Sequence, residues 1–176
     1  MSVTGMTGRL IIVALVIALG FSTVALAAGL GLRINVTPSA PIGLWLVRPA
    51  RLAQLQRDDY VLVCPPRASW IVRLVEQGAL LKGECAGGVA PFIKKVAALP
   101  ETSYEVGAEG IRVAGKLLAN TRPLPGWPYQ NARGAAVPGD TLLVYQDAHP
   151  GSLDSRYLGP FPLEGRARTA RLLVAF

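Results

Sequence analysis

From Leu10 to Leu32 the chain runs 23 residues without a charged side chain, closed at its ends by Arg9 and Arg33. No other feature restricts the fold as much. As a helix rising 1.5 Å per residue the run covers about 34 Å, slightly more than the ~30 Å hydrocarbon core of a bilayer. Gly20, Gly29 and Gly31 are tolerable in such a helix, because lipid offers the backbone no competing hydrogen-bond partners. A cleavable signal peptide is the alternative: Arg9 as the positive region, Leu10 to Leu19 as the apolar core, and Ala25-Leu26-Ala27 as an A-x-A cut site. The apolar run continues past that site, which favours a retained anchor. Residues 1–32 are therefore expected to form a short cytoplasmic stub and a transmembrane anchor, and residues 33–176 one exported domain of ordinary size. Charge does not fix the orientation. Arg33, Arg48 and Arg51 beyond the span outnumber Arg9 before it, but long domains translocate largely regardless of charge.

Scarcity bounds the chemistry of the rest. Only 16% of the residues are charged, which excludes a disordered tail and a coiled coil. With one His, a histidine triad must use His149, and that residue sits in the turn-like Asp147-Ala148-His149-Pro150-Gly151. A four-ligand zinc site would need carboxylates beside His149 and the two Cys, so no metal or other cofactor is expected. The net charge of +7 is scattered singly, with no basic run longer than Lys94-Lys95. That pattern reads first as solvated surface, then as contact with a lipid bilayer; no nucleic acid is expected. Cys64 and Cys85 are a possible disulfide. In an exported domain two thiols tend to be oxidised together, with a loop-closure stabilisation of about 3 kcal/mol; two unpaired thiols are the other reading.

The exported part reads as strands and turns. Tyr60 to Cys64 and Thr141 to Tyr145 are short apolar runs that follow turn sequences, and Phe92 to Leu99, Ile111 to Val113 and Arg168 to Ala175 continue the pattern. The apolar spacing of Trp70 to Leu81 predicts a short helix, and the Pro-, Gly- and Asn-rich stretch Asn120 to Ala136 a long loop. The expected fold is mainly β, built from antiparallel sheet behind one N-terminal helix.

Three short segments carry the chemistry. In Asn35-Val36-Thr37-Pro38-Ser39-Ala40-Pro41-Ile42-Gly43-Leu44-Trp45, a serine between two prolines is expected on a stiff, extended backbone that fixes its Oγ; a plain linker fits the same composition. In Phe92-Ile93-Lys94-Lys95-Val96-Ala97, strand alternation puts Lys94 with Phe92 and Val96 on one face and Lys95 on the other, so one lysine is able to sit among apolar neighbours. A lysine near pKa 10.4 is a free base only about once in a few thousand molecules at pH 7, and desolvation makes the neutral amine common. With no histidine to spare, serine with such a lysine is the simplest nucleophile and base available; two solvated lysines at a strand edge remain the alternative. The third segment is Ser152-Leu153-Asp154-Ser155-Arg156-Tyr157-Leu158-Gly159-Pro160.

In this order behind one anchor, the three segments resemble the type I signal peptidase family of Ser/Lys proteases, over about Leu10 to Arg166. The last segment matches the family's Ser-x-Asp-Ser-Arg-Tyr-x-Gly pattern in register. The resemblance implies a signal-peptidase-like domain with Ser39 as nucleophile and Lys94 as general base. It also implies Thr37, with the backbone amide of Ser39, as the oxyanion hole, Ser152 as the hydroxyl orienting the lysine, Asp154 as a catalytic-site acid and Arg156 as its ionic partner. The serine box, with Thr-x-Ser-x-Pro-x-Gly-Leu-Trp, and the Cys-Pro-Pro after an early strand resemble the conjugative-transfer branch, the TraF-type peptidases. The sequence also departs from the general secretory pattern: Ser39-Ala40-Pro41 stands in place of Ser-Met-x-Pro, Leu99-Pro100-Glu101-Thr102 in place of Leu-Pro-Gly-Asp, and Gln146-Asp147-Ala148 where Gly-Asp-Asn is usual.

What the branch implies is a membrane-anchored serine endopeptidase, single-pass in a bacterial inner membrane with its catalytic domain in the periplasm. Its expected partner is a membrane-anchored precursor, a pilin or another signal-peptide-bearing protein with small residues before the cut. The acyl-enzyme is then resolved by water or by a tethered amine that closes the pilin into a ring. A general secretory signal peptidase and a non-catalytic module of a conjugation or secretion channel are the competing readings. Trp45 is expected either to seat the domain in the membrane interface or to fill the core.

Overall fold

The structure, a computed structural model, describes residues 3–163 and 167–176. The first two residues of the expected stub and the Arg166 end of the resemblance lie outside the described residues. Two compact units divide the chain, Met1–Arg33 and Ile34–Phe176.

In the first unit, α1 (Val3–Gly29) includes a 22-residue stretch, Gly8–Gly29, long and apolar enough to cross a membrane. At 1.5 Å per residue that stretch is about 33 Å long. Its apolar side chains are exposed, as a lipid-facing helix requires. Its hydroxyls are satisfied within the helix: Ser22 donates to the carbonyl of Ala18 and Thr23 to that of Gly20, each at 2.8 Å. The helix stops three residues before the expected Leu32. Gly31 takes φ 86°, a left-handed turn that a side chain disfavours, and its N–H returns to the Ala28 carbonyl.

The second unit is antiparallel β, as the sequence predicts. In chain order, β1 (Leu32–Asn35), β2 (Gly43–Ala50), a 3-10 turn at Leu52–Gln54, β3 (Tyr60–Val63) and α2 (Ser69–Glu76) come first. Next are β4 (Phe92–Ala98), β5 (Ser103–Gly107), β6 (Gly110–Val113), β7 (Lys116–Leu117), β8 (Ala132–Ala136) and β9 (Thr141–Tyr145). A one-turn helix α3 (Ser155–Leu158), β10 (Phe161–Pro162) and β11 (Ala167–Ala175) complete the chain. A seven-stranded sheet runs β1-β2-β11-β3-β4-β9-β10, and a four-stranded sheet runs β7-β6-β5-β8.

The central strands of the large sheet are apolar on both faces. Val61, Val63, Val96, Leu142 and Val144 pack with Phe161 in one cluster. From the opposite faces, Ala97, Leu143 and Tyr145 pack against the small sheet, and Leu62 and Ile93 pack with Trp45. Burial on both sides is why these strands appear in the sequence as uninterrupted apolar runs. Two expectations change, and one left open is decided. The helix within Trp70 to Leu81 ends at Glu76, where the chain turns. The segment Asn120 to Ala136 is not all loop, since its last five residues form β8 on β5. Trp45 is fully buried, edge-on to Tyr60 at 4.9 Å, with its indole N–H on the Pro41 carbonyl at 3.0 Å; it is a core residue and not an interfacial one. Cys64 and Cys85 are joined as a disulfide, with Cα atoms 5.5 Å apart. It pins the loop after α2 to the end of β3, beside Ile71, Val75 and Val89.

Candidate active site

The serine lies in a turn between β1 and β2, not on the extended segment expected from its prolines. Asn35, the last residue of β1, builds that turn. Its carboxamide oxygen accepts from the Thr37 amide at 3.2 Å and the Thr37 hydroxyl at 2.8 Å, an Asx turn. Its carboxamide nitrogen donates to the carbonyls of Thr37, Ala40 and Pro41 at 2.9, 3.0 and 3.1 Å. One buried side chain therefore grips both arms of the turn that presents Ser39. The prolines restrict the backbone, but the hydrogen bonds set its direction.

Ser39 is half-buried, with its Oγ 3.4 Å from Thr37 Oγ1. The Thr37 hydroxyl has a single hydrogen, and Asn35 holds it. As an oxyanion donor, Thr37 must first turn that hydrogen away from Asn35. Thr37→Val, which keeps the shape and removes the hydroxyl, is expected to lower kcat by about 10²-fold with a smaller change in KM. Steady-state cleavage of a quenched peptide measures both; an unchanged kcat would remove Thr37 from the oxyanion hole.

Lys94 sits in the middle of β4, paired with Val61 of β3, and is 2% exposed. Its ammonium lies 5.3 Å from the Phe92 ring centre and donates to Ser152 Oγ in a short hydrogen bond. Burial lowers its pKa from 10.5 to about 8, the nearby Asp154 charge opposes that fall, and Arg156 adds to it. Lys95, one residue on, faces the other way. It forms an ion pair with Asp147 at 2.9 Å and lies over the rings of Tyr60 and Tyr145. Burial acts to lower the Lys95 pKa, but the Asp147 hydrogen bond and the surrounding charges outweigh it and raise it. Two adjacent lysines thus acquire opposite character from strand alternation alone.

Ala40, next to the serine, and Ile93, next to the lysine, pack in one cluster with Trp45 and Leu62. That cluster carries the two segments together. Ser39 and Lys94 share no hydrogen bond in this state, where the amine is engaged by Ser152.

The last segment folds as a capped single turn. Asp154 caps α3 by accepting from the Arg156 amide at 3.0 Å, and Gly159 ends the turn at φ 73°. Both charged residues are fully buried. The Asp154 carboxylate accepts from Arg156 Nε at 2.9 Å, Arg156 Nη2 at 2.7 Å, its own cap amide and the Gln146 amide at 2.9 Å. The remaining guanidinium hydrogens reach the carbonyls of Gln146 at 2.9 Å and of Asn120 and Arg122 at 3.4 Å. All five guanidinium donors are used, and the four donors fill the carboxylate. None of the carboxylate's bonds goes to Ser39 or Lys94. Ser155 Oγ accepts from the Val144 amide at 2.9 Å, and the Tyr157 hydroxyl accepts from Leu124 N at 3.0 Å and donates to the Pro150 carbonyl at 3.1 Å. His149 is exposed and bonded within its own turn, to the Gly151 amide.

Sequence reasoning singled out neither Asn35 nor Gln146. An Asn two residues before a Thr is a recognisable Asx-turn signal, so Asn35 was within reach. Gln146 had no such signal, because its place depends on strand register.

The sequence profile of "Signal peptidase, peptidase S26" matches residues 5–174. A "Conjugal transfer protein TraF" of Agrobacterium tumefaciens is 38% identical over 154 residues, 83% of this chain and 84% of that protein. A "Probable conjugal transfer protein TraF" of Sinorhizobium fredii is 37% identical over 154 residues, 83% of this chain and 78% of its own. A "Plasmid transfer protein TraF" of Escherichia coli is 31% identical over 154 residues, covering 82% and 85%.

Proposed function

The chain belongs to the signal peptidase family, peptidase S26, and from that premise we propose that it is a Ser/Lys peptidase that matures a pilin-type precursor in conjugation. The observation that carries the dyad is the state of Lys94: buried, held by one hydroxyl, and with its pKa brought down to about 8. About one molecule in ten then holds a neutral amine at pH 7, against about one in a few thousand for a solvated lysine. In the proposed reaction Lys94 takes the Ser39 hydroxyl proton as Oγ bonds to the scissile carbonyl carbon. The Ser39 amide and a turned Thr37 hydroxyl take the oxyanion, and Lys94 passes its proton to the leaving amine as the C–N bond breaks. A second nucleophile resolves the acyl-Ser39 ester. Water gives a linear product, and a tethered amine of the same chain gives a ring.

The conjugative role is supported by the relatives, which are named as conjugal or plasmid transfer proteins. α1 suits a single-pass anchor, and we place the second unit on the periplasmic side of an inner membrane. Contact of that unit with the bilayer is supported by exposed Ile34, Val36, Ile42, Val174 and Phe176, of which Ile42 and Phe176 are joined by a backbone hydrogen bond of 3.2 Å. A substrate anchored by its own apolar helix would then present its cut site without leaving the membrane.

Coexpression with a candidate pilin precursor, followed by mass spectrometry, tests this reading. The wild type should remove the leader, and Ser39→Ala should leave the precursor intact. Processing by Ser39→Ala equal to wild type would overturn the mechanism and favour a non-catalytic channel module. A product lighter than the linear fragment by one water identifies ring closure.

A further inference from the structure

Among the described residues, the buried side-chain polar atoms without a hydrogen-bond partner are the two of one carboxamide, Oε1 and Nε2 of Gln146. Gln146 is fully buried. A buried amide left unpaired costs about 1–3 kcal/mol, and leucine at the same place would avoid that cost. The position is also closely controlled. Its amide N–H is held by Asp154 and its carbonyl by Arg156, so the buried ion pair fixes both backbone groups of this residue.

Register shows where the side chain stands. β4 and β9 pair Val96 with Val144 and Lys95 with Tyr145; one step further the antiparallel register sets Gln146 opposite Lys94. Alternation agrees, since Leu142 and Val144 lie on the face of β9 that packs with Val96 and Phe92, and Gln146 follows them by two. The orphaned amide thus falls on the face of the sheet that buries Lys94.

A proton count gives the amide a use. A neutral lysine has two N–H groups, and the ammonium has three. Ser152 Oγ accepts one. Ser39 Oγ and then the leaving amine face another during the reaction. The third needs a buried acceptor, and the Asp154 carboxylate is already filled by four donors. The Phe92 ring offers only its face. Resting on the Ser/Lys reading above, we propose that Gln146 is a positioning residue for the base: its carboxamide oxygen accepts the Lys94 N–H that points neither to Ser152 nor to Ser39, and so favours the ammonium formed when Lys94 takes the Ser39 proton. The other charged groups near Lys94 are Asp154 and Arg156 of the last segment; Lys95, Asp147, Tyr60, Tyr145 and Asp58 form a separate group around Lys95, which faces away from Lys94.

The test uses the full chain in detergent micelles, labelled with 13C-lysine. Its lysines are Lys82, Lys94, Lys95 and Lys116, so Lys94→Met assigns the signal of interest. Removing an acceptor of the ammonium lowers the Lys94 midpoint, and a carboxylate in its place raises it. Gln146→Leu should move the midpoint down by about one pH unit and Gln146→Glu should move it up. Gln146→Leu should also melt at or above the wild-type temperature while kcat for a quenched peptide falls about tenfold. An unmoved Lys94 midpoint in both variants, or a Gln146→Leu that is less stable with no shift, would overturn the proposal. That NMR result is independent of the precursor test. A Ser39→Ala protein that still processes precursor would instead remove the base that Gln146 is proposed to serve.

Discussion

Lys94→Met is expected to silence the peptidase while making its fold more resistant to heat at neutral pH. Met nearly matches the lysine stem in volume and carries no charge into a site that is 2% exposed. The sign follows from the pKa, about 8 in the folded chain against 10.5 for a free lysine. Between those values the unfolded chain binds the extra proton, so wild-type stability rises as pH climbs from about 8 to about 10.5. Below pH 8 both states are protonated and the fold bears the whole desolvation penalty, about 3 kcal/mol for a shift of this size. Met removes the penalty and the slope together. Thermal melts from pH 6 to 10 should show a gain of roughly 5 °C at pH 7 that shrinks toward pH 10. Precursor processing should fall at least about 10⁴-fold. The companion wild-type result is a kcat/KM that rises about tenfold per pH unit and levels above about 8, as the neutral amine fills. A Met variant less stable than wild type at pH 7 would mean that the ammonium stabilises the fold, contrary to the burial.

Arg156→Met should be among the most destabilising single substitutions in the second unit. It strands the Asp154 carboxylate at zero exposure and leaves three carbonyls, those of Gln146, Asn120 and Arg122, without their donor. Breaking a buried pair by removing one partner costs about 3–5 kcal/mol. Asp154→Leu should cost a similar amount, since it also uncaps α3. The double variant removes both buried charges, so urea melts should place it above the sum of the single losses but below wild type. Full recovery is not expected, because the backbone amides of Gln146 and Arg156 still lack acceptors. Asp154→Asn is the sharper probe of role. Wild-type stability combined with abolished turnover would make Asp154 a participant in the chemistry; reduced stability with turnover falling in step would make it a fixture that holds Gln146 and the loop at Asn120.

Strands buried on both faces were legible because burial leaves only apolar residues to use, as in Thr141 to Tyr145. Strands at sheet edges were not. β8 reads Ala-Arg-Gly-Ala-Ala and is a strand only because β5 lies beside it. β2 was hidden by its Gly and Pro, yet its pairing with β11 fixes the exit of the serine turn. The helix within Trp70 to Leu81 was legible in kind and too long in extent, since apolar spacing continues past the point where the backbone turns.

The sequence by itself determined the membrane-length helix, the antiparallel class and the family. These depend on local spacing and on residue types that no neighbour can supply. Only the tertiary structure decided that Thr37 is held by Asn35, that Trp45 lies in the core, that Lys94 rather than Lys95 is buried, that Asp154 is filled by other donors, and that the Gln146 carboxamide is buried without a partner. Each depends on which strand lies alongside which, and in what register. Desolvation and hydrogen-bond accounting act through distance in space, so their outcome is set by pairings between segments far apart in the chain.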